Sequence, residues 1–219
     1  MRTIHTTGKP FERGTQQATQ CRDLARPWFQ HNLKIFPDGG SRRTAALAEL
    51  DTWLQRIGAV NSDVLDECRG LAAGLRMSDE EYFAAILLEQ STWLPLTCTT
   101  CGVVDHQGRP IIGKTDDIYA HERGLNVLEV TQPGRGYRHV HIHFTGTIWT
   151  TAGMNETGLG IAMTGIPGAT IDKDGLPSLF VLHTILSECA TIAEVVAQGD
   201  AADRRRSSHR PVAGAFPAS

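Results

Sequence analysis

The hydrophobic pattern changes period once along this chain, near residue 98. Before it, apolar residues recur at helical spacing. Ala45, Leu47, Leu50, Trp53, Leu54 and Ile57 predict a helix within Ser41 to Val60. Val64 to Leu75 repeats the spacing and runs into Gly74 and Met77. Ser78-Asp79-Glu80-Glu81 has the form of a capping box, in which hydroxyl and carboxylate satisfy each other's orphan amides. The helix it starts should span Asp79 to about Trp93 and stop before Pro95, since proline disfavours a helical residue ahead of it. The first 97 residues therefore read as mostly helical.

From Cys98 the period is two. Thr99–Val104 and Pro110–Thr115 read as strands around the turn Asp105-His106-Gln107-Gly108. Leu125–Thr131 and His139–Phe144 form a second pair. Ile148–Ala152 and Leu159–Thr164 flank Gly153-Met154-Asn155-Glu156-Thr157-Gly158, where Asn and Gly suit a tight turn. Ser178 to Ala197 predicts one further helix. After Gln198 periodicity stops, and Asp203-Arg204-Arg205-Arg206-Ser207-Ser208 leads into small residues and Pro217, so 199–219 reads as a disordered tail or an abnormal gene end. The division is a helical leader, 1–97, a sheet-rich part, 98–198, and that tail. The class is α+β.

Composition narrows the field only a little. A net charge of -3 gives no footprint for nucleic acid or a membrane surface. No apolar run approaches the roughly 18 residues of a spanning helix, and Met1 to Pro10 lacks the apolar core of a signal peptide. The five cysteines, 21, 68, 98, 101 and 189, are an odd, scattered set and not a disulfide framework. A soluble, cytoplasmic protein is expected.

Chemistry concentrates at Cys98. A thiol stands at a helix-to-strand junction, and the carboxylates Asp116 and Asp117 return one hairpin later. If the Thr97–Cys98 bond is cut, Cys98 carries both a nucleophile and an α-amine that titrates near ~8, able to take a proton without a histidine. A buried structural cysteine is the plain alternative. Cys98-x-x-Cys101 lacks the further ligands of a zinc site. Gly108 to Thr115 formally fits a Walker A pattern, but its Pro-Ile-Ile interior prefers a strand to a phosphate loop, so a nucleotide-binding protein is only the runner-up. His139, His141 and His143 share one strand face. Their spacing can bind a metal, but with no partnering carboxylate evident a polar strand face is expected and no metal is assigned. Asn155 reads as a turn former.

Together these residues resemble the acyl-coenzyme A:6-aminopenicillanate acyltransferase family, the C45 autoproteolytic peptidases. The likeness spans roughly Asn61 to Ala197. It rests on Glu67-Cys68-Arg69-Gly70-Leu71-Ala72-Ala73-Gly74-Leu75, Glu89, the triplet Cys98-Thr99-Thr100, Gly113-Lys114-Thr115-Asp116-Asp117 and Gly153-Met154-Asn155-Glu156-Thr157-Gly158-Leu159-Gly160. It implies an αββα N-terminal-nucleophile hydrolase sandwich, incomplete at the C-terminus because relatives continue further. It also implies self-cleavage between Thr97 and Cys98, a catalytic Cys98, and Asp117 as the contact for the new amine. Lys114, where choloylglycine hydrolases carry an Arg, Asp116 and Thr164 would bind substrate. Thr97 replaces a usual glycine, and Thr164 with Gly165 stands where many relatives place an oxyanion asparagine. No cofactor is required. The substrate would be a small amide or an acyl-CoA donor. A truncated, non-catalytic relative is the alternative. An incomplete second sheet would leave Val130, Ile161 or Met163 facing solvent or a partner copy, so homo-oligomerisation is expected as one way of covering them.

Overall fold

The computed structural model describes residues 1–35, 50–52, 54–59, 61–92, 98–118, 120–164 and 178–203. Thr97, Trp93, Pro95, Gly165, most of the predicted Ser41 to Val60 helix and 204–219 lie outside them.

The chain opens with a strand that sequence reading did not anticipate. β1, Arg2–Gly8, lies parallel to β4, Asn126–Pro133. Only Ile4 on it is large and apolar. The position two residues on, Thr6, is instead buried against the Glu129 carboxylate at 2.5 Å, so the alternation carries a polar residue where an apolar one would give the signal. β5 (His139–Phe144), β6 (Thr150–Asn155) and β7 (Gly160–Ala162) follow antiparallel, giving a five-stranded mixed sheet ordered β1-β4-β5-β6-β7. β2 (Cys98–Val104) and β3 (Pro110–Asp116) form a separate antiparallel hairpin. The α+β reading stands, and the predicted strand pairs are present.

Helices cover one face of the large sheet. α1, Pro10–Ile35, begins with proline at its first position, where a missing N–H costs nothing, and Glu12 accepts from the Lys9 N–H at 2.9 Å. α2, Ser62–Leu75, is capped by Asn61, whose side chain accepts from the Asp63 N–H. α3, Asp79–Thr92, starts at the expected capping box: the Ser78 N–H donates to Glu81 at 3.0 Å and the Glu81 N–H to the Ser78 hydroxyl at 3.2 Å. Residues 50–52 and 54–59 are also helical. The core lies between these helices and the sheet. Trp28 packs edge-on against Phe29 and Trp149, Phe29 stacks on Tyr82, and the Tyr82 hydroxyl donates to the Gly146 carbonyl at 3.0 Å.

The predicted Ser178 to Ala197 helix is two helices, α4 (Ser178–Glu188) and α5 (Ile192–Asp203). A second capping box breaks it: Glu194 accepts from the Ala190 and Thr191 N–H groups, and the Thr191 hydroxyl accepts from the Glu194 N–H. α5 also carries helix to Asp203, into the segment read as a disordered tail. The β6–β7 turn is tighter than predicted, closing over Glu156–Gly158 with Gly158 at φ +87°. Asn155 anchors it, as expected of a turn former. Its side-chain oxygen accepts from Thr157 and Leu159, and its amide donates to the Leu186 carbonyl in α4 and to the Cys189 carbonyl just beyond it.

Two expectations are corrected. Ile161 and Met163 are buried and not exposed, because the β7 face carrying Ile161 packs under the helix layer; Val130 is 38% exposed as expected. The Walker A match is no P-loop. Pro110–Asp116 is a strand, and no helix begins at Lys114-Thr115, so the phosphate-binding helix N-terminus is missing from that position.

Candidate active site

The β2–β3 register decides which carboxylate meets the thiol. Cys98 lies opposite Asp116, and Thr100 opposite Lys114, so these four side chains share one face of the hairpin. Cys98 Sγ is 3.6 Å from Asp116 Oδ1 and 3.6 Å from Lys114 Nζ. Lys114 forms an ion pair with Asp116, and its side chain is only 4% exposed. It is therefore not an ordinary strand-edge lysine: its buried ammonium depends on the Asp116 carboxylate for compensation. The Thr100 and Thr164 hydroxyls are hydrogen-bonded, tying the hairpin to the segment after β7. Cys98 is half-buried and Cys101, on the other face, is exposed. Asp117 is exposed just beyond the end of β3. The structure thus brings together Cys98, Lys114, Asp116 and, through Thr100, Thr164. It does not place Asp117 at the sulfur.

Cys21, Cys68 and Cys189 are buried. Burial pushes the thiols of Cys21 and Cys68 up, and that of Cys189 up to about 11.

A second polar cluster lies inside the molecule, under the helices. Glu129 on β4 is directly opposite His141 on β5, and His143 is two residues further along the same face. All three are buried. Glu129 Oε2 is 2.8 Å from His143 Nε2, 3.6 Å from His141 Nε2, and accepts from Gln17 Nε2 at 2.9 Å. Thr6 and Thr131 donate to its other oxygen. Burial alone would raise the Glu129 carboxyl, but His141 and His143 hold it well below the usual carboxylate range. Burial pushes His141 down to about 3, so it is neutral at physiological pH. The strand face is polar, as expected, but it is buried, and the carboxylate that seemed missing comes from the neighbouring strand. Pairing the two predicted strands as a hairpin is the signal that could have found Glu129.

Next to it, Glu67 receives Arg13 Nη2 at 2.6 Å and lies 3.0 Å from His183 Nε2, joining α1, α2 and α4 in one buried ionic contact. Sequence reading noted Glu67 only as part of a helix motif and missed both partners.

Residues 104–216, just over half of the chain, match the model of the family described as acyl-coenzyme A:6-aminopenicillanic acid acyl-transferase. The chain belongs to that family. No curated protein matches it. Membership of this acyltransferase family fits an enzyme acting on a small molecule, and among the described residues no helix is long and apolar enough to cross a membrane. The match begins after Cys98, includes Lys114, Asp116, Asp117 and Thr164, and reaches through most of the segment read as a tail. Cys98 therefore rests on the hairpin geometry and on the resemblance of Cys98-Thr99-Thr100.

Proposed function

We propose that this acyltransferase-family chain is an autoproteolytic N-terminal-cysteine enzyme, an amidohydrolase or acyltransferase, with Cys98 as both cleavage site and nucleophile. The observation that carries the reading is the setting of Cys98: a strand-opening thiol, half-buried, with Lys114 Nζ and Asp116 Oδ1 each 3.6 Å from its sulfur.

Maturation begins when the Cys98 thiol attacks the Thr97 carbonyl carbon. The Thr97–Cys98 C–N bond breaks, the departing nitrogen takes up the thiol proton to become the Cys98 α-amine, and a thioester links Thr97 to Sγ. Water hydrolyses that ester, leaving the Thr97 carboxylate, the free thiol and the Cys98 α-amine. In turnover the α-amine takes the thiol proton as sulfur attacks the acyl carbon, then gives it to the leaving group. The resulting thioester passes its acyl group to water or to an acceptor amine. Lys114 attracts the negative charge that develops on sulfur. Asp116 and Asp117 both lie close enough in sequence to receive the new ammonium, and the register favours Asp116. Thr164, hydrogen-bonded to Thr100, would contact the substrate. The scheme needs no cofactor, accepts a small amide or an acyl-CoA donor, and suits a reducing, cytoplasmic setting.

The αββα sandwich is part of the proposal. Beneath the helices the sheet carries Glu129, Thr131, His139, His141 and His143. On the other face, cross-strand neighbours Val130, Val140 and Met154 stand in a row, with Met154 52% exposed. An apolar outer face is what a second sheet would cover, and the β2–β3 hairpin begins that layer: Ile112 lies against Gly160 of β7.

Intact-mass analysis with N-terminal sequencing tests the reading. Cleavage should yield fragments of 1–97 and 98–219, with Cys98 as a new terminus, and Cys98→Ala should abolish it. A wild-type chain that stays whole at neutral pH would leave a non-catalytic relative as the better account.

A further inference from the structure

We propose that Glu129, His141 and His143 form a binding site for one divalent transition-metal ion, with zinc(II) the best match to the donor set. This site is separate from Cys98 and does not depend on the reading of that residue.

The ligand atoms Glu129 Oε2, His141 Nε2 and His143 Nε2 all lie within 4.8 Å of one another. Zinc bonds of about 2.0–2.1 Å in a tetrahedron place ligand atoms roughly 3.3 Å apart. The 2.8 Å and 3.6 Å separations of Glu129 Oε2 from the two imidazole Nε2 atoms bracket that value.

Hydrogen bonding turns the right atoms inward. His143 Nδ1 sits 2.8 Å from the Phe144 carbonyl, which can only accept, so Nδ1 carries the hydrogen. In neutral imidazole, Nε2 then presents a lone pair, directed at the carboxylate oxygen 2.8 Å away. Without a metal a proton must bridge the two atoms; a metal ion between them would take up both lone pairs instead. His141 repeats the arrangement: Nδ1 pairs with the Thr150 hydroxyl at 2.9 Å, and Nε2 is buried without a hydrogen-bond partner. Gln17 cannot supply the deficit, since its two amide hydrogens face three acceptors, Glu129 Oε2, His143 Nε2 and the Thr147 carbonyl. Among the described residues no lysine or arginine is paired with Glu129. A dication held by Glu129 Oε2 and the imidazole Nε2 atoms would compensate the buried carboxylate in charge and in coordination.

The supporting contacts have the form that metal sites use. Each imidazole is fixed through Nδ1, and Glu129 Oε1 is held by Thr6 and Thr131. His139 lies beside the three ligands on the same strand face: its ring centroid is 5.2 Å from that of His141, and its Nε2 is also buried and unpartnered. Burial of the cluster excludes substrate, so the ion is structural, fastening β4 to β5 beneath α1.

The purified full chain should retain about one zinc per molecule after dialysis, measured by inductively coupled plasma mass spectrometry. Chelator should lower its melting temperature and equimolar zinc chloride should restore it. Cobalt(II) in place of zinc should give visible ligand-field bands of an imidazole–carboxylate site. Glu129→Gln and His143→Gln should lose the ion, while His183→Gln and Cys98→Ala keep it. If the first two variants fail to fold, the cobalt spectrum and zinc-dependent melting of the wild type still decide. A chain that holds no ion and melts alike with zinc or chelator overturns the proposal. So does an ion lost in Cys98→Ala, or a ¹⁵N spectrum showing His143 Nε2 protonated in excess zinc.

Discussion

At Cys98, Lys114 and Asp116 act on the sulfur with opposite signs from equal distances of 3.6 Å. The ammonium attracts the negative charge of the reacting thiolate, and the carboxylate repels it. Access alone favours Cys101, which is exposed, over the half-buried Cys98. Iodoacetamide labelling followed by peptide mapping should nevertheless modify Cys98 first. Lys114→Met should slow Cys98 toward the rate of Cys101, and Asp116→Asn should accelerate it. If neither substitution changes the order, the two neighbours do not act on the thiol. Much of this site was legible, because a four-residue turn between two alternating strands nearly fixes which residues face each other. The one-residue register that sets Asp116 opposite Cys98 was not, since propensity does not determine it. The Glu129–His141–His143 group was hidden for another reason. Alternation is normally read with polar residues outward, and here the polar set is the buried one.

Helix α1 approaches α2 through glycines. A Cβ on Gly14 would run into the Glu67 carbonyl oxygen, one on Gly70 into the Phe11 carbonyl oxygen, and one on Gly74 would lie 2.6 Å from Ala18 Cβ. The first two clash with backbone, which cannot swing aside as a side chain can. Gly70→Ala should therefore destabilise by about 1–3 kcal/mol, despite the better helix propensity of alanine. Chemical denaturation reads this directly, and an unchanged midpoint would show that the helices separate at little cost. The Gly70 and Gly74 spacing was visible in sequence, but its partner helix was not, since α1 carries few large apolar residues on a regular stripe. The α4–α5 break was legible: Thr191-Ile192-Ala193-Glu194 is the same capping pattern recognised at Ser78–Glu81. It was overlooked because apolar spacing continues across it. Thr191→Ala should cost about 1 kcal/mol, a loss confined to the amides that Thr191 and Glu194 satisfy.

Across the whole molecule, elements distant in sequence are joined by buried charge. Arg13 of α1, Glu67 of α2 and His183 of α4 meet where apolar packing would otherwise hold three helices on the sheet. Periodicity predicts that helices exist, but long-range ionic partners leave no mark on local spacing, so this joint could not be read in advance. Its consequence is a defined acid response. Burial would raise the Glu67 carboxyl, but His183 and Arg13 hold it down at about 2, against 4.5 for the group in water. In the unfolded chain Glu67 takes up its proton near 4.5, while in the fold it stays ionised until about 2. The unfolded state thus binds more protons between those values. The stability Glu67 contributes is complete above pH 4.5 and is lost progressively as pH falls toward 2. Other carboxylates titrate in the same range, so the informative quantity is the difference from Glu67→Gln. At neutral pH that variant should be less stable by about 3–5 kcal/mol, since it leaves the Arg13 charge buried without its partner. Below pH 4.5 the gap should narrow as the wild type loses its advantage. Urea midpoints measured for both proteins from pH 7 to pH 2 test this, and parallel curves would mean that Glu67 is not held ionised by the contact.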